Sequence, residues 1–250
     1  MEEEPLAGGN ATNSVVRVGA TVRKPWTAAT PSVLEYMRAM LNAGIDVPAV
    51  YGQDDQGRQV TEFIPGCLAM DSETLSLAEI SRVGRLVRTI HDASAAYEPA
   101  SGSTWITHIE APGADLICHN DLAPWNLLIG ERWVFIDWDA ASPSTRLWDL
   151  AYAAQSFTLN DAAADPRLAA RALAAFVDGY DADAKVRAKL PTVMWQRTSA
   201  MYELLKNSHD AGIEPWGPMF ASGHGDHWRT VTEFVRSNES LWLEAVMNAR

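Results

Sequence analysis

The chain has 250 residues, of which 47% are hydrophobic and 21% charged, so its composition is that of a globular protein and excludes wholesale disorder. With 20 basic and 32 acidic residues, the formal net charge is −12, which argues against a nucleic-acid partner, because such binding needs a basic surface. Cys67 and Cys118 are too few for a disulfide framework. No apolar run long enough for a membrane span and no secretory signal are found. We therefore expect a cytoplasmic protein that does not bind a membrane.

The first 64 residues predict short strands around one helix. β-Branched residues on both sides of Gly19 indicate a hairpin, whose second strand ends before Pro25. Apolar residues at helical spacing predict a helix from Thr30 or Pro31 to Asn42. A second hairpin follows, with strands predicted over 47–51 and 59–64.

After residue 64 the pattern becomes mostly helical. It predicts a helix over 72–96, a loop over 99–114, and short strands over 116–118 and 133–136. Further helices are predicted over 147–157, 166–180, 185–209 and 228–248. We therefore predict a two-lobed α+β fold, in which residues 1–64 form a small antiparallel β-rich N-terminal lobe and residues 65–250 a larger, mostly α-helical C-terminal lobe.

Three polar residues at the ends of the two short strands are the candidates for chemistry. Asp121 and Asn126 bracket a polar loop after the first strand, and Asp137 follows the second. A carboxylate and an amide oxygen that converge on one cleft form the hard-oxygen site that Mg²⁺ prefers. Asp121 then remains free to orient an attacking hydroxyl and accept its proton, a division of roles used in phosphoryl transfer.

These residues stand in a recognisable motif. The run His-Asn-Asp-Leu-Ala-Pro-Trp-Asn over 119–126, followed by Phe-Ile-Asp over 135–137, resembles the catalytic and metal-binding loops of the aminoglycoside phosphotransferase and choline kinase-like family. The family comprises small-molecule phosphotransferases with a protein-kinase-like fold. The resemblance implies that Asp121 is the catalytic base and that Asn126 and Asp137 hold Mg²⁺. It also implies that Asp149 supports the catalytic loop, and we expect His119 to brace that loop.

The N-terminal part resembles the nucleotide-binding lobe of the same family. Gly8, Gly9 and Asn13 resemble its glycine-containing nucleotide loop. Lys24 resembles the lysine that holds the α- and β-phosphates of ATP or GTP, but Arg23 competes for this role, since a slip of one residue exchanges the two faces of a strand. Glu62, Phe63 and Ile64 resemble the hinge of the family, whose backbone would form hydrogen bonds with the nucleotide base.

The chain departs from the family pattern at two positions. The family pairs its lysine with a glutamate on the first long helix, and Glu35 is the acidic residue of that helix here, although its spacing is about one residue off. Asp137 is followed by Trp138 and Asp139, where protein kinases have Phe-Gly, so Asp139 is an alternative metal ligand or a supporting residue.

The sequence thus predicts a Mg²⁺-dependent transfer of the γ-phosphate of ATP or GTP to a hydroxyl of a small molecule. A cationic acceptor, such as an aminoglycoside-type antibiotic, is one candidate, because acidic side chains attract polyamines. A kinase-like binding or immunity protein without catalysis is the alternative, and a metal-dependent hydrolase is a third. We expect a monomer or homodimer. Acidic candidates for a cationic acceptor surface are Asp161, Asp165, Asp178, Asp181, Asp183, Glu203, Asp210 and Glu214.

Overall fold

The computed structural model describes residues 3–6 and 15–248. The predicted nucleotide-loop residues Gly8, Gly9 and Asn13 lie outside the described residues. None of the described helices combines the length and hydrophobicity that crossing a membrane requires.

A five-stranded antiparallel sheet occupies the N-terminal part. Its strand order is β1 (Glu4–Pro5), β2 (Val16–Val18), β3 (Thr21–Lys24), β5 (Gln59–Glu62) and β4 (Val50–Gln53). The first predicted hairpin is confirmed: β2 and β3 meet at a turn in which Gly19 has a φ of 61°, a conformation that glycine adopts without strain.

Helix α1 (Thr30–Asn42) has the bounds that the apolar spacing predicts. Its buried face includes Val33, Leu34 and Met40, whereas Glu35 is exposed. The Tyr36 hydroxyl donates a 3.0 Å hydrogen bond to the carbonyl of Ile117, so α1 is fixed directly to the strand that precedes the candidate catalytic loop.

Two small sheets carry the loops of the larger part. Strand β6 (Cys67–Leu68) precedes α2 (Leu77–Ser94), which begins later than predicted because Ser76 and Glu79 form a capping box. The sequence analysis did not predict β6, β8 (Leu127–Ile129) or β10 (Ser142–Ser144), which are only two or three residues long. The sheets contain β6-β8-β9 and β7-β10, with β7 (Leu116–Cys118), β8 (Leu127–Ile129), β9 (Trp133–Phe135) and β10 (Ser142–Ser144).

The C-terminal part is helical. The helix predicted over 228–248 is wrong as one element, because it divides at Asn238 into two helices. Helix α2 crosses α4 (Pro166–Tyr180) closely. A Cβ atom at Gly84 would overlap the carbonyl of Phe176, and one at Gly179 would overlap that of Ser81. The helices are α3 (Arg146–Thr158), α4 (Pro166–Tyr180), α5 (Ala184–Ala211), α6 (Trp216–Met219), α7 (Gly225–Ser237) and α8 (Glu239–Asn248), with a π-helical turn over Phe220–His224.

The predicted two-lobed α+β fold is confirmed, with the antiparallel sheet in the smaller part and the helices in the larger. One apolar core extends from α1 through Trp138 to Trp242. The lobe boundary between residues 64 and 65 stays a prediction.

Candidate active site

The loop between β7 and the turn at Pro124–Asn126 is held from both sides. Asn120 has a φ of 62°, and its side-chain amide donates hydrogen bonds to the Ser142 hydroxyl and carbonyl at 3.0 and 3.2 Å. Its backbone N–H donates to Oδ1 of Asp149 at 2.9 Å. These bonds fix the direction in which the next residue, Asp121, leaves the loop.

Asp149 is buried on α3 and joins the loop to the helical core. Its second oxygen lies 3.0 Å from Nε2 of His91, whose Nδ1 lies 2.9 Å from the hydroxyl of Tyr180. Both ring nitrogens of His91 have a hydrogen-bonding partner and the ring is fully buried, which is the environment of a structural histidine.

His119 is buried below the same loop. Its Nε2 lies 3.1 Å from the carbonyl of Ile136, and its Nδ1 lies 3.3 Å from the backbone N–H of Asp121. Burial lowers the pKa of His119 and therefore favours the neutral ring. A neutral ring that donates from Nε2 and accepts at Nδ1 satisfies both contacts, and so links the two short strands that carry Asp121 and Asp137.

Asp121 receives hydrogen bonds at both carboxylate oxygens. The hydroxyl of Tyr152 donates to Oδ1 at 2.9 Å, and the side-chain amide of Asn126 donates to Oδ2 at 2.7 Å. Burial raises the pKa of Asp121, while the bond from Tyr152 lowers it. A carboxyl with a raised pKa beside a cavity is suited to accept a proton from a hydroxyl.

Sequence reasoning missed Tyr152 and Arg197. Tyr152 follows Asp149 by three residues on α3, so helical spacing from Asp149 could have indicated that both face the loop. The guanidinium of Arg197 lies 4.2 Å from the centroid of the Tyr152 ring, but Arg197 is buried in α5 and no local pattern distinguishes it.

The register of β3 places Lys24, and not Arg23, at the cavity. Lys24 Nζ lies 2.5 Å from Oδ1 of Asp137 and 3.0 Å from Oδ2 of Asp139. Arg23 pairs with Asp54 at 3.2 Å and is not among the residues that line the cavity, so the structure does not bring it to the site. Although burial lowers the pKa of Lys24, the charges of Asp137 and Asp139 outweigh burial and raise it.

The ion pair implied between Lys24 and Glu35 is wrong. Glu35 lies on the exposed face of α1, because the buried positions of that helix include its neighbours Leu34 and Tyr36. Lys24 pairs instead with the two aspartates after β9.

Gln59 also reaches this group of charges. Its Nε2 donates to Oδ1 of Asp139 at 3.1 Å, and Gln59 is buried opposite Lys24 in the sheet. Asp139 is thereby held between Lys24 and Gln59. The sequence analysis predicted that Asp139 is an alternative metal ligand or a supporting residue, but it did not predict a role for Gln59.

The first two residues of the predicted hinge already use their backbone N–H groups within the protein. The backbone N–H groups of Glu62 and Phe63 donate to the carbonyls of Ala49 and Ala20. The Glu62 carboxylate accepts hydrogen bonds from Arg132 and from the Ala49 N–H. Glu62, Phe63 and Ile64 are absent from the lining of the cavity described next, whose border on this side is formed by Leu68, Met70 and Asp71.

A cavity of about 870 Å³ joins these groups. Lys24, Asp121, Asn126 and Asp137 all line it, so the structure brings four of the predicted site residues together. We name its lining residues between positions 197 and 228 the C-terminal wall. The eight acidic residues proposed for a cationic acceptor are absent from the lining. The C-terminal wall comprises Arg197, Met201, Leu204, Trp216, Met219, Ser222, Gly223, His224, His227 and Trp228.

The part of the chain that holds this loop matches a known family. Residues 103–188 match the model of the phosphotransferase enzyme family, and the matched segment contains Asp121, Asn126, Asp137 and Asp149. The resemblance to the aminoglycoside phosphotransferase and choline kinase-like family is confirmed.

The similarity to these phosphotransferases extends over nearly the whole fold. A microcompartment-associated aminopropanol kinase superimposes with a TM-score of 0.69 at 16% identity, covering 98% of this chain and 94% of the kinase. An amicoumacin kinase, solved with AMP-PNP and Ca²⁺, gives a TM-score of 0.66 at 13% identity, with coverages of 94% and 88%. The fold is therefore that of the two-lobed, protein-kinase-like phosphotransferases.

The chain is also similar to a protein that is named for immunity and not for kinase activity. The trifolitoxin immunity protein of Rhizobium leguminosarum bv. trifolii is 26% identical to this chain over 270 residues, which span 98% of this chain and 99% of the relative.

Proposed function

We propose that this protein is a Mg²⁺-dependent phosphotransferase that moves the γ-phosphate of ATP or GTP to a hydroxyl group of a small molecule. The observation that carries the proposal is the convergence of Lys24, Asp121, Asn126 and Asp137 on one cavity. These are the residue types that position phosphates, a metal ion and an acceptor hydroxyl in phosphoryl transfer. The family match over residues 103–188 supports the same reaction class.

Asp121 is the proposed catalytic base. It would orient the acceptor hydroxyl for in-line attack and take its proton as the new P–O bond forms and the bond to the leaving nucleoside diphosphate breaks. Tyr152 and Asn126 hold its two oxygens in fixed directions. The hydrogen bonds from Asn120 to Asp149 and Ser142 keep the loop from turning Asp121 out of the cavity.

Asn126 and Asp137 fit a magnesium ion by their chemistry. The Asn126 side-chain nitrogen donates both to the Asp121 carbonyl and to Oδ2, which leaves the amide oxygen as the group that can face a cation. The Asp137 carboxylate supplies the anionic oxygen that Mg²⁺ prefers. When bound, Mg²⁺ would neutralise charge on the phosphates.

Lys24 is the proposed ligand of the nucleotide phosphates. Since Glu35 does not pair with it, Asp139 would act as its anchor, with Gln59 holding Asp139 in turn. Gly8, Gly9 and Asn13 keep their proposed role in the nucleotide loop.

The decisive test is a nucleotide-consumption screen across hydroxyl-bearing small molecules, followed by the Asp121→Ala variant on the best acceptor. We expect Asp121→Ala to fold normally and to lose roughly 10²- to 10⁴-fold in turnover, the contribution of a positioned general base. Asp55→Ala, at an exposed aspartate, is the matched control and should retain wild-type turnover. Wild-type turnover in Asp121→Ala would contradict the assignment.

A second candidate is a kinase-like immunity protein that sequesters a small molecule or peptide without catalysis. The similarity to the trifolitoxin immunity protein over almost the whole of both chains favours it, as does the missing pair between Lys24 and Glu35. Calorimetry with nucleotide, with and without Mg²⁺, separates the two candidates. Mg²⁺-dependent nucleotide binding with turnover supports the enzyme, whereas ligand binding without either supports sequestration.

A further inference from the structure

The C-terminal wall contains five apolar side chains and no acidic residue, although the whole chain has a net charge of −12. Met201 and Leu204 come from α5, Trp216 and Met219 from α6, and Trp228 from α7. Within the described part of the chain, no acidic residue between 197 and 228 lines the cavity. Glu203, which lies between Met201 and Leu204 in sequence, is exposed outside the lining. The acidic residues of this segment therefore face away from the cavity.

These apolar side chains are not a closed core. Met201, Trp216 and Met219 are only partly buried, and with Trp125 they pack on a small cluster around Tyr152 and Trp228. This cluster is separate from the main core and borders the cavity. An apolar cluster that stays open to a cavity of drug-like size is suited to the apolar body of a ligand.

The basic group of this wall is Arg197. It is 5% exposed, its Nη1 atom is without a hydrogen-bond partner in the described part of the chain, and its guanidinium lies beside Tyr152. His224 and His227 also line the wall. An acceptor with several ammonium groups would meet the charge of Arg197 here, because the carboxylates that line the cavity, those of Asp71, Asp121 and Asp137, all lie outside this wall.

We propose that the acceptor of this site is a largely apolar, non-cationic alcohol and not a polycationic sugar. Its aromatic or aliphatic body would pack on Trp125, Met201 and Trp216, while its hydroxyl reaches Asp121. The inference rests on the proposed phosphotransferase function, because it assigns the acceptor of that same site.

The test compares two probes that differ only in the chemistry of their side chains. One is the capped tripeptide acetyl-Trp-Ser-Leu-amide, and the other is acetyl-Lys-Ser-Lys-amide, so both present the same serine hydroxyl. Kanamycin serves as the polycationic sugar. Binding of each probe to the full chain is measured by calorimetry, with and without Mg²⁺ and AMP-PNP, and phosphate transfer is measured with ATP.

We expect the tryptophan peptide to bind at least roughly tenfold more tightly than the lysine peptide and kanamycin, a difference of about 1.4 kcal/mol. Met201→Glu should remove this preference, Met201→Leu should keep it, and both variants should bind Mg²⁺-nucleotide as the wild type does. Equal or tighter binding of either cationic probe would overturn the inference. Failure of the tryptophan peptide to bind at about 1 mM, the range of weak affinities, would also overturn it.

The failure of the proposed function has a different signature. If the chain binds no nucleotide with Mg²⁺ and transfers no phosphate to any probe, the phosphotransferase proposal fails even if the tryptophan peptide binds. If nucleotide binds and only kanamycin is phosphorylated, the phosphotransferase proposal stands and the apolar acceptor is refuted.

Discussion

The hydroxyl of Tyr152 donates a hydrogen bond to Oδ1 of Asp121 at 2.9 Å, which connects helix α3 directly to the proposed catalytic base. The bond stabilises the ionised carboxylate and so lowers the pKa of Asp121, against the burial that raises it. The phenol thereby stabilises the ionised form of Asp121 against the burial that disfavours it.

The Tyr152→Phe variant should therefore need a higher pH for activity. Without the phenol, the pKa of Asp121 rises further, so the fraction of ionised base falls at low pH. We expect the acid limb of the kcat/KM profile to move up by about 1 pH unit, since one unit corresponds to about 1.4 kcal/mol of lost interaction. Tyr202→Phe is the control, because Tyr202 packs on Phe220 and does not line the cavity. An unchanged acid limb in Tyr152→Phe would refute this role.

Lys24→Met should weaken the use of nucleotide. A hydrogen bond to a charged group is worth about 1.5–3 kcal/mol, so kcat/KM for the nucleotide should fall roughly 10- to 100-fold. Arg23→Met is the matched control, since Arg23 is the neighbouring residue but pairs with Asp54. Steady-state kinetics with varied nucleotide measure both variants, and an equal loss in Arg23→Met would mean that the register of β3 does not select the phosphate ligand.

Asp137→Asn and Asp139→Asn should have different effects on magnesium. Asp137 is a proposed metal ligand, so Asp137→Asn should lower the affinity for Mg²⁺ by roughly 10- to 100-fold, the range for loss of a group that supports a metal site. Asp139→Asn should leave Mg²⁺ affinity nearly unchanged and raise KM for the nucleotide, because Asp139 holds Lys24. Mg²⁺ titrations of activity separate the two. If only Asp139→Asn lost affinity for Mg²⁺, Asp139 would be the metal ligand and Asp137 the residue that holds Lys24.

Asp149→Ala should destabilise the fold. The backbone N–H of Asn120 and the ring of His91 would lose their buried acceptor, which costs about 3 kcal/mol. The melting temperature should fall by about 10 °C for a chain of this size. Asp149→Asn, which keeps one acceptor oxygen, should lose less, and the exposed Asp55→Ala should change the melting temperature little. Equal melting temperatures for Asp149→Ala and Asp55→Ala would show that this network adds no stability.

Gly84→Ala should also destabilise the fold, although alanine favours helices. The new Cβ atom would meet the carbonyl of Phe176 where α2 crosses α4, and neither backbone can move without opening the crossing. We expect a loss of about 3 kcal/mol in the free energy of unfolding, measured by denaturant titration. Arg85→Ala, at the next, exposed position of α2, should stay within about 0.5 kcal/mol of the wild type. A stabilised Gly84→Ala would mean that the two helices are less closely packed.

Features that depend on neighbouring residues could be predicted from the sequence. The bounds of α1, the hairpin at Gly19 and the loop from Asp121 to Asn126 follow from periodicity, turn chemistry and spacing, all of which act within about a dozen residues. The single helix predicted over 228–248 was wrong, because the local pattern is helical on both sides of Asn238 and does not show the break there.

Which side chains come into contact depends on the tertiary fold and could not be predicted from local patterns. Lys24 and Asp137 are separated by 113 positions, and their contact depends on the pairing of β3 with β5 and on the way the two lobes approach. Arg197 reaches the loop of Asp121 from α5 by packing against Tyr152. The net charge of −12 showed that the chain is acidic, but not where its acidic side chains lie. The rotation of α5 in the fold turns its acidic residues away from the cavity and leaves apolar side chains in the wall.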